Sequence, residues 1–285
     1  MSGGALKGKV AVVTGASRGI GAGIAARFAA EGARVVAVAR TLEPDGKLPG
    51  SLAETVERIR AAGGECHALR IDLGDAADRA RIIPEVLAQF GRVDIVVNNA
   101  AWARFGPIWQ QQPRHAHLAF EINYFAPLEI AAAAVPVMKG QGAGWILNIS
   151  SGTSLLPRPA PFDPADRYFE FHQQGSPTLY GSTKAALERM SAGMAAELAG
   201  TGVAINTLAP VGAVASEGAL EVGGWDERDH LEPVEAMAEA ALALCSRPAD
   251  ELSGRIAVSL PLLEELGIPI RALDGQRLHS EQVAA

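Results

Sequence analysis

The chain is poor in cysteine: of its 285 residues only Cys66 and Cys245 carry thiols. Two thiols so far apart, with no CxxC spacing and no clustered histidines, exclude a disulfide framework and a zinc site and fit a reducing compartment. Aromatic residues make up 5% of the sequence, and no stretch reaches the ~18 consecutive apolar residues of a membrane helix. The opening Met1 to Lys9 lacks the charged start and apolar core of a secretory leader, so the expected location is the cytoplasm. Basic residues do not dominate either. Lys and Arg number 25 against 32 Asp and Glu, the net charge of −7 is spread along the chain, and neither nucleic acid nor an anionic membrane is expected as a partner.

What remains is an ordinary globular composition, 48% hydrophobic and 20% charged, long enough for one large core. A single catalytic domain over residues 1–285 is expected. From Lys9 to Asn99 short β-branched runs alternate with alanine-rich stretches: VAVVTG, GAGIAARFAAEGA, RVVAVAR, a helix around Ser51 to Ala62, CHALRID, a helix near Asp75 to Phe90, and VDIVVNN. The alternation continues with a helix through Phe120 to Met138, a strand at Trp145 to Ile149, a helix from Thr178 to Leu198, a strand at Ala204 to Leu208 and a last strand near Arg255 to Ser259. Apolar strands each followed by a helical crossover predict an α/β fold, a doubly wound parallel sheet of Rossmann type with helices on both faces.

Two stretches break the pattern and read as long loops, Leu155 to Pro177, rich in proline and aromatics, and Val211 to Leu231, rich in glycine and acid. A tail follows from about residue 261 to 285.

Directly after the first strand stands Thr14-Gly15-Ala16-Ser17-Arg18-Gly19-Ile20-Gly21, and a helix begins at once. Residues without Cβ let backbone approach a pyrophosphate, and the helix N-terminus offers unpaired N–H donors. The spacing is GxxxGxG, and the alternative is a turn that uses glycine only for packing. At the end of the second strand, where a carboxylate would bind a ribose 2′-hydroxyl, stands Arg40, with Arg18 nearby; this favours NADP(H), with NAD(H) as the alternative.

With that turn in place, further landmarks follow in order: Asp72-Leu73, Asn98-Asn99-Ala100-Ala101, Asn123, Asn148-Ile149-Ser150-Ser151, and Tyr180-Gly181-Ser182-Thr183-Lys184. From about Lys9 to Pro210 the chain resembles the classical short-chain dehydrogenase/reductase family. The resemblance implies that Asp72 and Leu73 border the adenine, that Asn98, Asn99 and Ala100 border the adjoining ribose, and that Tyr180 and Lys184 contact the nicotinamide ribose. It further implies that Ser151, as the second serine, meets the substrate oxygen while Ser150 is structural, and that Asn123 holds a relay water. A buried asparagine satisfying local backbone is the competing reading of Asn123. Oligomers pairing through the helices at Phe120 to Met138 and Thr178 to Leu198 are also implied, hence a homodimer or homotetramer.

The chemistry can be argued separately. Hydride addition to a carbonyl needs a positioned proton donor, and Tyr180 is one. Lys184, four residues on and on the same helix face, is expected to lower the tyrosine pKa. The substrate expected is a fairly hydrophobic ketone or secondary alcohol. The alternatives are a non-catalytic NAD(P)-binding sensor, an NAD(H)-dependent alcohol dehydrogenase, and a nucleotide-sugar epimerase or dehydratase, for whose larger C-terminal domain little length remains.

Three places depart from the family pattern. Between Ser151 and Tyr180 lie 28 residues, read as an insertion whose Phe162, Tyr168, Phe169 and Phe171 either wall a substrate pocket or pack against the body or another subunit. After the sixth strand Val211 separates Pro210 from Gly212, which would put Val214 near the carboxamide and Ser216 at the cofactor. SGRIAVSLPLLEELGI lacks a glycine-rich finish, and its tail is expected over a neighbour. His115 and His117 form HxH, but on a helix they point apart, so no metal is expected. Trp102, Arg104 and Trp109 are further candidates for lining the cleft.

Overall fold

Val10–Thr14 is a run of small and β-branched residues that forms β1, buried along its whole length. The computed structural model describes residues 4–44, 49–214 and 231–278. Around β1 lie β2 (Arg34–Ala39), β3 (Glu65–Arg70), β4 (Ile95–Asn98), β5 (Gly144–Ile149), β6 (Val203–Ala209) and β9 (Ile256–Val258). They form a seven-stranded sheet in the order β3-β2-β1-β4-β5-β6-β9, parallel throughout. A pair of short strands, β7 (Ala213–Val214) and β8 (Leu231–Glu232), stands apart from it.

The sheet divides two hydrophobic cores, and alternate residues of β1 serve each. Ala11 and Val13 pack with α1 (Gly19–Ala30) and α9 (Val234–Ser246), while Val10 and Val12 pack with α4 (Ile82–Phe90) and α6 (Ala126–Gln141). A strand buried on both faces is why these segments read as unbroken apolar runs. The doubly wound expectation holds.

Helix boundaries follow local chemistry. Ser51 caps α2 (Leu52–Ala61) by accepting from the N–H of Glu54. The single helix expected near Asp75 to Phe90 is in fact two, α3 (Ala76–Arg79) and α4. Pro84 is the reason: it fits the first turn of a new helix but would clash with the carbonyl four residues back in a continuous one. The helix expected at Phe120 starts earlier, as α5 (Pro113–Phe120), and reaches α6 through a π-helical turn at Glu121–Phe125 that contains Asn123.

The Leu155–Pro177 segment is not a loop throughout. Arg167–Gly175 forms α7, started by Asp166, whose carboxylate accepts from the N–H of Tyr168. The four prolines between 157 and 164 end before that cap, so they keep only the first half irregular. The long α8 (Thr178–Glu197) follows, and α10 (Ser259–Leu266) is the last described helix after β9. The described part of the tail packs Leu262, Leu263 and Ile270 in the same core as α1, and residues 279–285 lie outside the described residues. Most of the expected substrate-side loop, with Ser216, lies outside the described residues.

Candidate active site

The order of strands reverses between β1 and β4, the position in an open α/β sheet where ligands bind beyond the C-terminal ends of the strands. The glycine turn borders it. Gly15 has φ +67°, and a Cβ on it would lie 2.8 Å from Ala100 Cα; one on Gly21 would lie 2.4 Å from both Asn99 Nδ2 and the Gly15 carbonyl oxygen. Only residues without a side chain allow the two loops to approach this closely.

Asn99 and Ala100 hold the turn in place. The Asn99 side-chain amide donates to the carbonyls of Thr14 (2.9 Å) and Gly15 (3.3 Å), and the N–H groups of Asn99 and Ala100 donate to Thr14 Oγ1 at 3.0 and 3.1 Å. The Asn99 side chain is thus committed to backbone, a scaffold for the cradle. Ser17 is buried, Ile20 packs against the core, and Arg18 donates to the Gly50 carbonyl at 3.0 Å. Arg18 Nε is buried with no hydrogen-bond partner among the described residues. A cradle with no room for Cβ, opening onto a helix N-terminus and holding an unpartnered guanidinium nitrogen, fits a dinucleotide phosphate.

Arg40 is exposed just beyond β2, and its carbonyl accepts from Arg70 Nε at 3.2 Å. Arg70, paired in register with Ala39, brings a further guanidinium to this strand end. It was missed in the sequence because only sheet pairing makes it a neighbour. Asp72 is exposed and accepts from the Gly74 N–H, while Leu73 is buried and its carbonyl accepts from Arg79.

The other half of the site is the end of β5 against α8. Lys184 is fully buried and its Nζ donates to the Ile149 carbonyl at 2.7 Å; the same Nζ lies 5.5 Å from the centre of the Tyr180 ring. Ser151 caps a short 3₁₀ turn (Gly152–Ser154), and its Oγ accepts from the Thr153 N–H (3.3 Å) and hydroxyl (3.1 Å). Its own proton is left to donate. Ser150 Oγ donates to Glu188 at 2.5 Å.

Burial pushes the Tyr180 phenol up to about 12. The expected depression by Lys184 is not what this geometry produces, because the ammonium is turned to a carbonyl and removal from water outweighs it. Burial also pulls Lys184 down to about 8, against the opposing charge of Glu188.

Asn123 does not reach Lys184 through its side chain. Its Oδ1 accepts from the Trp102 N–H (2.8 Å) and its Nδ2 donates to the Trp102 carbonyl (2.8 Å) and to Thr183 Oγ1 (3.0 Å), so the amide is spent on local structure. It ties the segment after β4 to α8. That segment places the Phe105 ring 6.0 Å from the Tyr180 ring and 6.1 Å from Phe171 of α7. Of the other cleft candidates, Trp109 is exposed and the Trp102 ring lies 5.9 Å from that of His115. In the insertion Phe162 stacks on Phe169, while Tyr168 donates to the Gly152 and Leu155 carbonyls at 3.1 and 2.5 Å. Pro210 is half-buried beyond β6, and Val214 is buried in β7.

The profile of the short chain dehydrogenase family matches residues 9–161, more than half of the chain. The chain belongs to the short chain dehydrogenase family. The match runs through the glycine turn, β4 and Ser151 and stops within the proline-rich segment, ahead of Tyr180. Hydroxysteroid dehydrogenase-like protein 2 of Danio rerio is 31% identical to this short chain dehydrogenase over 265 residues, which are 93% of this chain and 60% of that protein; the chain thus spans well under two thirds of that relative's length. Among solved structures, a metagenomic short-chain oxidoreductase in complex with NADP is 29% identical, with a TM-score of 0.71 over 89% of this chain and 97% of that one. A 3-oxoacyl (acyl-carrier-protein) reductase from Agrobacterium tumefaciens C58 with NADP bound is 28% identical, with a TM-score of 0.72 over 89% of this chain and 93% of that one.

Proposed function

We propose that this short chain dehydrogenase is an NADP(H)-dependent oxidoreductase, one catalytic domain that interconverts a ketone and a secondary alcohol. The observation that carries the reading is Lys184 Nζ on the Ile149 carbonyl and 5.5 Å from the Tyr180 ring, with Ser151 two residues further along the same strand end. The glycine turn at the end of β1 supports the cofactor. Gly15, Gly19 and Gly21 would admit the pyrophosphate, and Arg18 and Arg40, with no carboxylate at the end of β2, would take a 2′-phosphate. Two NADP-bound relatives of similar fold support the same choice. Bound there, the nicotinamide supplies the hydride.

The chain's own residues do the rest. Ser151 donates its free proton to the substrate oxygen and orients it. Tyr180, fully protonated at neutral pH, delivers the proton as the oxygen gains charge. Lys184, buried 5.5 Å from the Tyr180 ring centre, would hold the nicotinamide ribose beside Tyr180. Phe105 and Phe171 exclude water beside Tyr180 and favour a substrate with an apolar flank. Exposed Leu118 and Phe125, on the helical stretch from α5 to α6, support a homodimer or homotetramer; light scattering at micromolar concentration tests this, and a monomer would refute it.

The test of the reading is NADPH oxidation with a panel of apolar ketones, run with wild type and Tyr180→Phe. Turnover lost in a variant that still binds NADPH supports the assignment. A wild type that binds NADPH and turns over no carbonyl or alcohol would instead favour a sensor.

A further inference from the structure

Glu188 lies one helical turn beyond Lys184 on α8, and the chemistry proposed above does not use it. Its Oε1 accepts from Ser150 Oγ at 2.5 Å and from Ser154 Oγ at 2.7 Å. These two serines bracket Ser151. One turn earlier on the same helix, Lys184 holds the carbonyl of Ile149, the residue before Ser150. Another turn back, α8 approaches the 3₁₀ turn so closely that a Cβ on Gly181 would lie 2.3 Å from the Thr153 carbonyl oxygen. The strand end is therefore gripped by α8 at successive points, and Glu188 supplies the two side-chain bonds at the far end.

A carboxylate that accepts two hydroxyl protons makes strong, short bonds. The turn it holds is short; it is also closed by the Ser154 N–H to the Ser151 carbonyl and the Leu155 N–H to the Gly152 carbonyl, by Thr153 on Ser151 Oγ, and by the Tyr168 hydroxyl on the Gly152 and Leu155 carbonyls from the α7 side. Without the carboxylate, Ser150 and Ser154 have no reason to face α8, and Ser151 loses its fixed relation to Tyr180.

We propose that Glu188 is a positioning residue of this enzyme, clamping the turn that carries Ser151 onto the helix that carries Tyr180 and Lys184. The assignment rests on the reductase reading for its kinetic consequence, though not for the clamp itself. Glu188 has a second effect through charge: its field opposes the desolvation of Lys184. The titratable groups that feel its charge are Lys184 of its own helix and Tyr168 of α7. From β5 and its turn come only serine hydroxyls and backbone.

The experiment combines kinetics with hydrogen exchange on the full chain. Glu188→Ala lowers kcat about 10- to 100-fold, the size expected for a misplaced orienting group, with little change in NADPH affinity. In a Ser151→Ala background the same substitution adds almost nothing, because the group it positions is gone. Glu188→Gln keeps an oxygen for both hydroxyls and restores most of kcat at pH 6. It also moves the loss of activity at high pH to lower pH, since Lys184 then gives up its proton sooner. Amides of residues 150–155 exchange faster in Glu188→Ala and regain protection in Glu188→Gln. An equal fall in kcat with and without Ser151, or unchanged exchange at 150–155, would overturn the clamp. A wild type without turnover would sink the reductase reading, and the exchange result would still decide whether the clamp exists.

Discussion

A Cβ added to Gly21 would lie 2.4 Å from the side-chain nitrogen of Asn99, although the two residues belong to different loops and stand 78 positions apart. The same nitrogen donates to the Thr14 and Gly15 carbonyls, so the glycine turn and the end of β4 are tied together. Gly21→Ala forces them apart. Overpacking at such a contact costs about 1–3 kcal/mol, and the cradle widens as it relaxes. The expected outcome is a lower Tm together with an NADPH Kd raised at least about 10-fold, equivalent to ~1.4 kcal/mol. Differential scanning fluorimetry and nicotinamide fluorescence check it; a variant with both values unchanged would remove the cradle from the account.

Burial of Lys184 costs the fold stability. Its folded pKa of about 8 lies below the ordinary 10.5, so below pH 8 the native state carries a buried charge that water would solvate better. The sign follows from linkage: in this window the unfolded chain holds its proton more readily, and native stability rises with pH from about 8 towards 10.5. Lys184→Met removes the buried charge. It is expected to be more stable than wild type at pH 7, by up to about 3 kcal/mol, less whatever the orphaned Ile149 carbonyl costs, and inactive as a reductase. The gain shrinks as pH rises through 8 to 10.5. Denaturant melts at pH 7 and pH 10 measure it, and a Met variant less stable at pH 7 than at pH 10, each relative to wild type, would contradict the sign.

Arg40, Arg18 and Arg70 gather around the C-terminal ends of β1, β2 and β3. If the first two receive a 2′-phosphate, Arg40→Asp raises the Kd for NADPH by about 10-fold or more, the effect of ~1.4 kcal/mol, and leaves that for NADH unchanged or tighter. Arg70→Ala is expected to act more weakly, because its Nε is already engaged by the Arg40 carbonyl. Parallel fluorescence titrations with both nucleotides decide the matter. Equal affinities in wild type would favour the NAD(H)-dependent alternative.

The strands were legible because a parallel sheet buried on both faces writes itself as apolar runs, and β1, β4 and β5 fall within a residue or two of where those runs lie. The glycine turn and the Tyr180–Lys184 spacing were legible for a similar reason: both are local patterns. What was hidden depends on contacts distant in sequence. Asn99 holding the turn, Glu188 meeting Ser150 and Ser154, and Phe105 reaching Tyr180 each join separate elements. The helix at Arg167–Gly175 carried a signal, Asp166 before a run of helix-compatible residues, but the preceding prolines obscured it. The division at Pro84 was equally present in the sequence.

The central claim is that the chain moves a hydride from NADPH to a carbonyl carbon while Tyr180 supplies the proton. The most direct test is isotopic: incubate wild type and Tyr180→Phe with NADPH deuterated at the transferring C4 position and a panel of apolar ketones, and measure deuterium in the alcohols by mass spectrometry. The account predicts one deuterium at the carbinol carbon with wild type and none above background with the variant. Alcohol formed without deuterium, or equal incorporation in the variant, would contradict it.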